Sequence, residues 1–277
     1  MKGEEPFAFQ KSLRKRSLNR RWHYFPAPIK VKAVTLPDYF SELKPFQRHF
    51  AEGHPILCYH KISLPPSKAR IKGLYLSPPL FSQQMQEISQ AGFSAMPPPA
   101  SHSNQSAPIT ITFDDGFLSN LTAAVPFLKN AGVRAINYLV ADRIGQTSDW
   151  EAQEGGEADP LMNESQIREW LAAGHWIGAH TCTHPRLSRL SRKEAKEEIF
   201  SGKKKLEDRF GIPMEHFAYP YGDYNETTVE LVREAGFQTA CTMHRGINLS
   251  DTSPFELKRW TARYPSRTFR NFLRRFF

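Results

Sequence analysis

Ile109-Thr110-Ile111-Thr112-Phe113-Asp114-Asp115-Gly116 is a strand pattern that runs into two carboxylates and a turn residue. The β-branched run Ile109-Thr110-Ile111 reads as a short buried strand, and the acids stand where it gives way at Gly116. Successive strand side chains face opposite sides. Asp114 and Asp115 therefore converge on one place only if the backbone turns between or just after them, which Gly116 permits. Taken alone, Asp-Asp-Gly reads equally as the N-cap of a following helix. The flanking sequence decides between the two.

On both sides of this stretch, strand and helix patterns alternate. Pro55 to His60 is an apolar run with His60 at its carboxyl end. Ser77 to Ala91 carries Pro78 at a helix start, then Phe81, Met85 and Ile88 at helical spacing, and Gly92 behind. Pro97 to Ser106, rich in Pro and Ser, is a loop. A helix over 120–131, a strand over 135–140 and a helix over 164–173 follow. Next come the strand 176–179 running into His180, and a helix opened by the capping box Ser191/Glu194 and closed by Gly211 and Pro213. A strand at 217–219, a helix at 226–235 and a strand at 237–242 complete the series. Residues 142–159, polar and acidic with paired glycines, read as an inserted surface loop, and His175 reads as facing solvent at its strand's start. This order predicts an α/β fold with a mostly parallel sheet or barrel, whose functional residues gather at the carboxyl ends of strands. His60, Asp114, Asp115, His180, Tyr219 and Tyr221 all fall there.

Two further strings carry chemistry. His180-Thr181-Cys182-Thr183-His184 places imidazoles four apart, and with a carboxylate they make a set suited to Zn²⁺ with an open position. Among ten histidines such a pair also arises by chance. Cys182 between them reads as packing. Phe217-Ala218-Tyr219-Pro220-Tyr221-Gly222 fixes a turn whose backbone N–H groups suit a ligand, although alone it is also an ordinary surface turn.

Together, Thr112 to Gly116, His180 to His184 and Tyr219 to Gly222 resemble the first three motifs of the polysaccharide deacetylase (NodB-homology, carbohydrate esterase family 4) enzymes. The resemblance runs from about Ile56 to Thr261. It implies a distorted (β/α) barrel of seven strands over residues 54–277, preceded by a basic extension, 1–53, that is partly disordered or packed on the domain. It also implies Asp114 as catalytic base, a divalent metal on Asp115, His180 and His184, and a groove wall at Tyr219, Pro220 and Tyr221 with an oxyanion donor at the Tyr221 amide. Zinc is the expected ion, with Co, Ni, Fe or Mn as alternatives. Two positions depart from the usual pattern. No histidine follows His244 to supply the general acid. Ile56 to His60 instead looks like the Tyr-His motif of the circularly permuted poly-N-acetylglucosamine deacetylase-like subgroup, which gives the acid role to His60. The arginine that orients the base is missing from the third motif, and Arg259 is the candidate to replace it, against a plain surface charge. The implied reaction is hydrolysis of N-acetyl groups on a glycan containing N-acetylglucosamine. Its rivals are deacylation of another small or lipid-linked substrate on the same site, and a non-catalytic glycan-binding role.

Composition bounds the rest. Residues 1–33 and 257–277 each carry a net charge of +7 against +9 for the whole chain, which leaves the middle at −5. The basic ends read as solvated tails, with peripheral contact to anionic lipid as the alternative and no sign of sequence-specific nucleic-acid binding. Phe269, Phe272, Leu273 and Phe276 recur at helical spacing among arginines, a pattern for packing on the domain or for an interfacial helix. No apolar run approaches the roughly 20 residues of a spanning helix, and no secretory signal is visible. These features point to a cytoplasmic or peripheral membrane location, although the family is often exported. Three cysteines without Cys-x-x-Cys spacing argue against both a disulfide scaffold and a thiolate zinc site.

Overall fold

Among the described residues the main path of the sheet has seven strands, β1 (Ile56–Tyr59), β2 (Pro108–Phe113), β3 (Ile136–Leu139), β4 (Trp176–Ala179), β5 (His216–Ala218), β6 (Thr239–Cys241) and β7 (Trp260–Thr261), with the two-residue strand Ser94–Ala95 paired to β2 off that path. The computed structural model describes residues 36–67, 69–99, 107–153 and 155–264. Across the sheet the order is β7-β1-β2-β3-β4-β5-β6, and every pairing is parallel. Parallel neighbours need crossovers. Helices supply them: α1 (Pro78–Gln90), α2 (Val125–Ala131), α4 (Glu164–Ala172), α5 (Arg192–Phe210) and α6 (Glu226–Glu234), with a short α3 (Asp149–Gln153) inside the loop after β3. The result is the curled sheet of a (β/α) barrel, as the alternation predicted. The stretch Leu257–Thr261 touches both of its edges, since Leu257 bridges Cys241 of β6 and Trp260 pairs with Leu57 of β1.

Strand alternation sorts the core into two layers. Ile56, Ile136, Tyr138, Ala218, Cys241 and Leu257 form one buried cluster. Their strand neighbours Leu57, Phe113, Leu139 and Phe217 belong to the larger cluster that packs with Phe81, Leu128 and Trp170 of the helices. Leu57 and Phe113 face the helices, so Cys58, Thr112 and Asp114 fall on the opposite, inner face. Among the described residues, no helix is long and apolar enough to cross a membrane.

The structure differs from the sequence reading in several places. The helix expected over 120–131 begins as a π turn, Asn120–Ala124, because Pro126 has no N–H for the carbonyl four residues back. The loop 142–159 is not wholly a surface feature: α3 buries Trp150, which is 7 % exposed. His175 is buried rather than facing solvent; its ring lies 4.5 Å from that of Trp170 and its Nδ1 accepts the Ala135 N–H. From the extension, Phe40, Leu43, Phe46 and Phe50 join the main core cluster. The basic stretch 11–21 and the aromatic repeat 269–276 lie outside the described residues.

Burial of two structural histidines has a consequence for stability. His216, hydrogen-bonded to Thr239 Oγ1 at 2.8 Å, is pushed down to about 4 by burial, and His175 likewise to about 4, by burial and then by Arg134. A base depressed in the folded state binds protons more readily when unfolded. Its stabilisation is complete above the unfolded value near 6.5 and is lost as pH falls through 4. For His216 this is at most about 3 kcal/mol. Urea unfolding of His216→Asn at a series of pH values should show a smaller loss between pH 6.5 and 4 than the native chain. Parallel curves would mean that His216 titrates alike in both states.

Candidate metal and acid-base site

The backbone turn anticipated at Gly116 begins one residue earlier. Asp115 has φ 76° and Gly116 φ 84°, two left-handed residues in succession. They swing Asp115 to the same side as Asp114, which leaves β2 on the inner face. Among the described residues, five other than glycine have positive φ, and four of them, Asp115, Thr181, His184 and Tyr221, lie in these three motifs. Such backbone costs about 1–3 kcal/mol each and persists only where the surroundings impose it. The strain is therefore concentrated where the candidate residues meet.

Asp115, His180 and His184, the three residues expected to hold a metal, lie close together. One ligand atom from each lies within 4.8 Å of the others, and all three residues are buried. Asp115 Oδ1 is 3.4 Å from His180 Nε2 and 3.2 Å from His184 Nε2, yet no hydrogen bond reaches it. The His180 tautomer follows from its other nitrogen. Nδ1 lies 2.7 Å from the carbonyl of Ala218, which can only accept, so Nδ1 donates, and in the neutral ring Nε2 is left with its lone pair toward Asp115. A carboxylate oxygen facing two imidazole nitrogens without a hydrogen bond fits a cation between them. Burial alone would raise the Asp115 carboxyl, but the charge of a protonated His184, together with the His180 ring, outweighs it and holds the group well below the ordinary carboxylate range.

The histidine loop is gripped from outside. Glu198 of α5 accepts the N–H groups of Cys182 and Thr183 at 2.9 Å each and the Thr183 hydroxyl at 2.7 Å. One turn further along the helix, a Cβ on Gly202 would stand 2.9 Å from the Thr181 carbonyl carbon, so only glycine lets α5 approach this closely. Trp150 of α3 stacks on His184 with ring centroids 4.4 Å apart, and Tyr221 lies 4.6 Å away on the same ring. α3 is itself tied down by buried Lys61, which bonds Glu151 at 2.7 Å, Asp159 at 2.6 Å and the Tyr75 hydroxyl at 3.1 Å. None of Glu198, Trp150 or Lys61 was singled out from sequence. For Glu198 the available signal is the glycine at i+4 inside an otherwise strong helix. Glu198→Ala should weaken divalent-ion retention by about 10–100-fold, the usual scale for outer-shell partners. Glu198→Gln, whose amide oxygen still accepts both N–H groups, should stay close to the native affinity. Competition against a chelating dye measures both, and native affinity in Glu198→Ala would deny the residue this role.

Beside the cation set, Asp114 meets Arg259 in a two-pronged contact. Nη1 donates to Oδ1 at 2.7 Å and Nη2 to Oδ2 at 2.8 Å. Arg259 is 1 % exposed, and its remaining donors go to Thr242 O at 2.8 Å, Thr112 Oγ1 at 3.1 Å and Met243 Sδ at 3.2 Å. It is thus no surface charge. Burial pushes the Asp114 carboxyl up, and Arg259 more than offsets this and lowers it. His60 Nε2 is 4.0 Å from Asp114 Oδ2, with a side chain 14 % exposed. Burial lowers its proton affinity, and Asp114 and Asp115 recover only part of the loss.

The aromatic motif divides. Tyr219 and Pro220 are buried, and the Tyr219 hydroxyl donates to Phe255 O at 3.1 Å, so both lie beneath the surface expected of a groove wall. Tyr221, 36 % exposed, is the member open to solvent, and the Arg186 guanidinium sits 3.9 Å over its ring.

Comparison with known proteins gives one consistent result. The sequence profile of the polysaccharide deacetylase family matches residues 101–240. YxkH of Bacillus subtilis (strain 168) is 27 % identical over 212 residues, which cover 74 % of this chain and 70 % of that protein. The peptidoglycan-N-acetylglucosamine deacetylase PgdA of Listeria monocytogenes is 26 % identical over 45 % of this chain and only 23 % of its own length. Among solved structures, the Streptococcus pyogenes deacetylase PplD in complex with acetate superposes with a TM-score of 0.66 at 25 % identity. It covers 80 % of this chain and 97 % of its own.

Proposed function

The chain belongs to the polysaccharide deacetylase family, and from that premise we propose that it is a metal-dependent hydrolase that removes N-acetyl groups from a glycan containing N-acetylglucosamine. The observation that carries the proposal is the side-by-side placement of two differently equipped carboxylates. Asp115 faces His180 and His184 with an oxygen no hydrogen bond reaches, while Asp114 is held by Arg259 and faces His60. A metal site and an acid-base pair on adjacent residues suit hydrolysis of an amide.

Asp115, His180 Nε2 and His184 Nε2 would hold the ion, with zinc the best match to a carboxylate and two imidazoles. When bound, a divalent ion supplies Lewis acidity, acidifying water and polarising a carbonyl. Asp114 takes the proton of the water that attacks the acetamide carbon. Its fork with Arg259 keeps it ionised and fixes its orientation. The Tyr221 amide is assigned to the oxyanion that develops, a kind of contact worth roughly 3–4 kcal/mol in other enzymes. An amine leaves only when protonated, and His60 delivers that proton to the nitrogen as the C–N bond breaks. Because burial disfavours resting imidazolium, His60 acts as a relay for the proton gained by Asp114, 4.0 Å away. Acetate and a glucosamine amine result.

Acetate release from an N-acetylglucosamine oligomer and from a peptidoglycan fragment tests the proposal. Release should stop with chelator and return with added zinc. Tight retention of such a glycan by the metal-loaded chain, with no acetate formed from any N-acetylated glycan, would leave a binding protein instead.

A further inference from the structure

Behind the acid-base pair lie two sulfur donors, Cys58 of β1 and Met243, that the proposed reaction does not use. Cys58 Sγ is 3.6 Å from Asp114 Oδ2 and 4.0 Å from Met243 Sδ, and Cys58, His60 and Asp114 each place one donor atom within 4.8 Å of the others. With bonds of about 2.3 Å to sulfur and 2.1 Å to oxygen, ligands sharing one ion in tetrahedral to trigonal geometry stand about 3.6–4.0 Å apart. The Cys58–Met243 contact already has that spacing. A His60 ring nitrogen lies within 4.8 Å of Cys58 Sγ and has to close in by up to about 1 Å to share an ion with it. From the geometry we infer that Cys58, Met243 and His60 form a binding site for a soft monovalent cation of the copper(I) or silver(I) type, set against Asp114, which shuts off the acid-base pair when filled.

The donor set selects the ion. A thiolate, a thioether and an imidazole favour soft ions. Charge selects the valence. Arg259 Nη2 donates to Met243 Sδ at 3.2 Å, which leaves the sulfur one further lone pair for an ion, and to Asp114 Oδ2 at 2.8 Å, so an added dication would face a fixed positive charge on one side and the Asp115 centre on the other. A monovalent ion avoids that conflict. The Cys58 thiol gives its proton to solvent and its sulfur bonds the ion, one positive charge replacing another, with no oxidation or reduction. In the absence of such an ion the thiol simply donates to Asp114 Oδ2. Inhibition follows because the lone pair of His60 is taken up and Asp114 is crowded. That consequence rests on the roles proposed for these two residues; the binding itself does not.

Silver(I) is a redox-inert probe. The zinc-loaded chain is titrated with it, and bound silver and retained zinc are measured on the desalted protein. Cys182 and Cys241 provide a common background of thiols. The native chain should take up one equivalent more than Cys58→Ser, keep its zinc, and lose acetate release in step with that equivalent. Met243→Leu and His60→Ala should each weaken this uptake at least tenfold. Equal silver binding by the native chain and Cys58→Ser, loss of zinc in step with silver uptake, or unchanged affinity in both Met243→Leu and His60→Ala, the mark of a bare thiol, would overturn the inference. A chain that binds silver as described but releases no acetate from any glycan supports this site and counts against the proposed function instead.

Discussion

Asp114→Asn is expected to lower turnover by about 10²–10⁴-fold, the range a general base contributes, while the chain still carries a full equivalent of metal. The separation follows from the division of labour between the two acids. Asp115 alone faces His180 and His184, whereas Asp114 faces Arg259 and His60. Asparagine retains the shape but can neither take a proton nor balance the guanidinium. Turnover on N-acetylglucosamine oligomers and metal content of the same preparation should be measured together. Near-native turnover would remove Asp114 from the chemistry, and lost metal would make it a ligand.

Arg259→Met should be the most destabilising single change in the site, at about 3–5 kcal/mol, because it strands a buried carboxylate. Turnover should fall as well, and its pH dependence should move in a definite direction. In the native chain Arg259 is what offsets the burial that raises Asp114. Without it the carboxyl holds its proton to higher pH, so the acidic limb of the rate profile shifts upward. Asp114→Asn combined with Arg259→Met removes both charges. The pair should recover much of the stability lost in Arg259→Met and none of the turnover. Denaturant unfolding of the four proteins in this cycle, with pH profiles of the active ones, checks it. Additive losses, with no recovery in the double variant, would mean that the fork contributes nothing as a pair.

How far this was legible in the sequence depended on how local each signal was. Strand, helix and turn patterns are local, and the barrel order emerged from them because each helix between Pro78 and Glu234 other than α3 bears its own apolar face, proline start or capping box. The ligand motifs are short strings, so Asp115, His180 and His184 could be grouped before their distances were known. Arg259 could only be offered against a surface charge, because the contact that decides it spans 145 residues. β7 has two residues, too few for any periodicity, and was not seen. Trp150 and Glu198 act by packing on or gripping the histidine loop, and no spacing rule announces a stacking partner or a loop clamp. Tyr219 went the other way: a motif string says which residues occur together, not which of them the backbone turns inward.

The bridging stretch Leu257–Thr261 also bears on the order of events during synthesis. Asp114 is made 145 residues before the arginine that neutralises it. At about 5–20 residues per second on the ribosome, that gap lasts roughly 7–30 s. Throughout it the inner face of the emerging sheet holds a carboxylate with no counter-charge, which opposes early closure of the barrel. Final compaction is then expected to await the arrival of Arg259, with the unfinished chain open to proteases and chaperones until that point. Limited proteolysis of stalled nascent chains should show the doubly neutral variant, Asp114→Asn with Arg259→Met, closing before its native counterpart. Simultaneous closure would uncouple this charge from the timing.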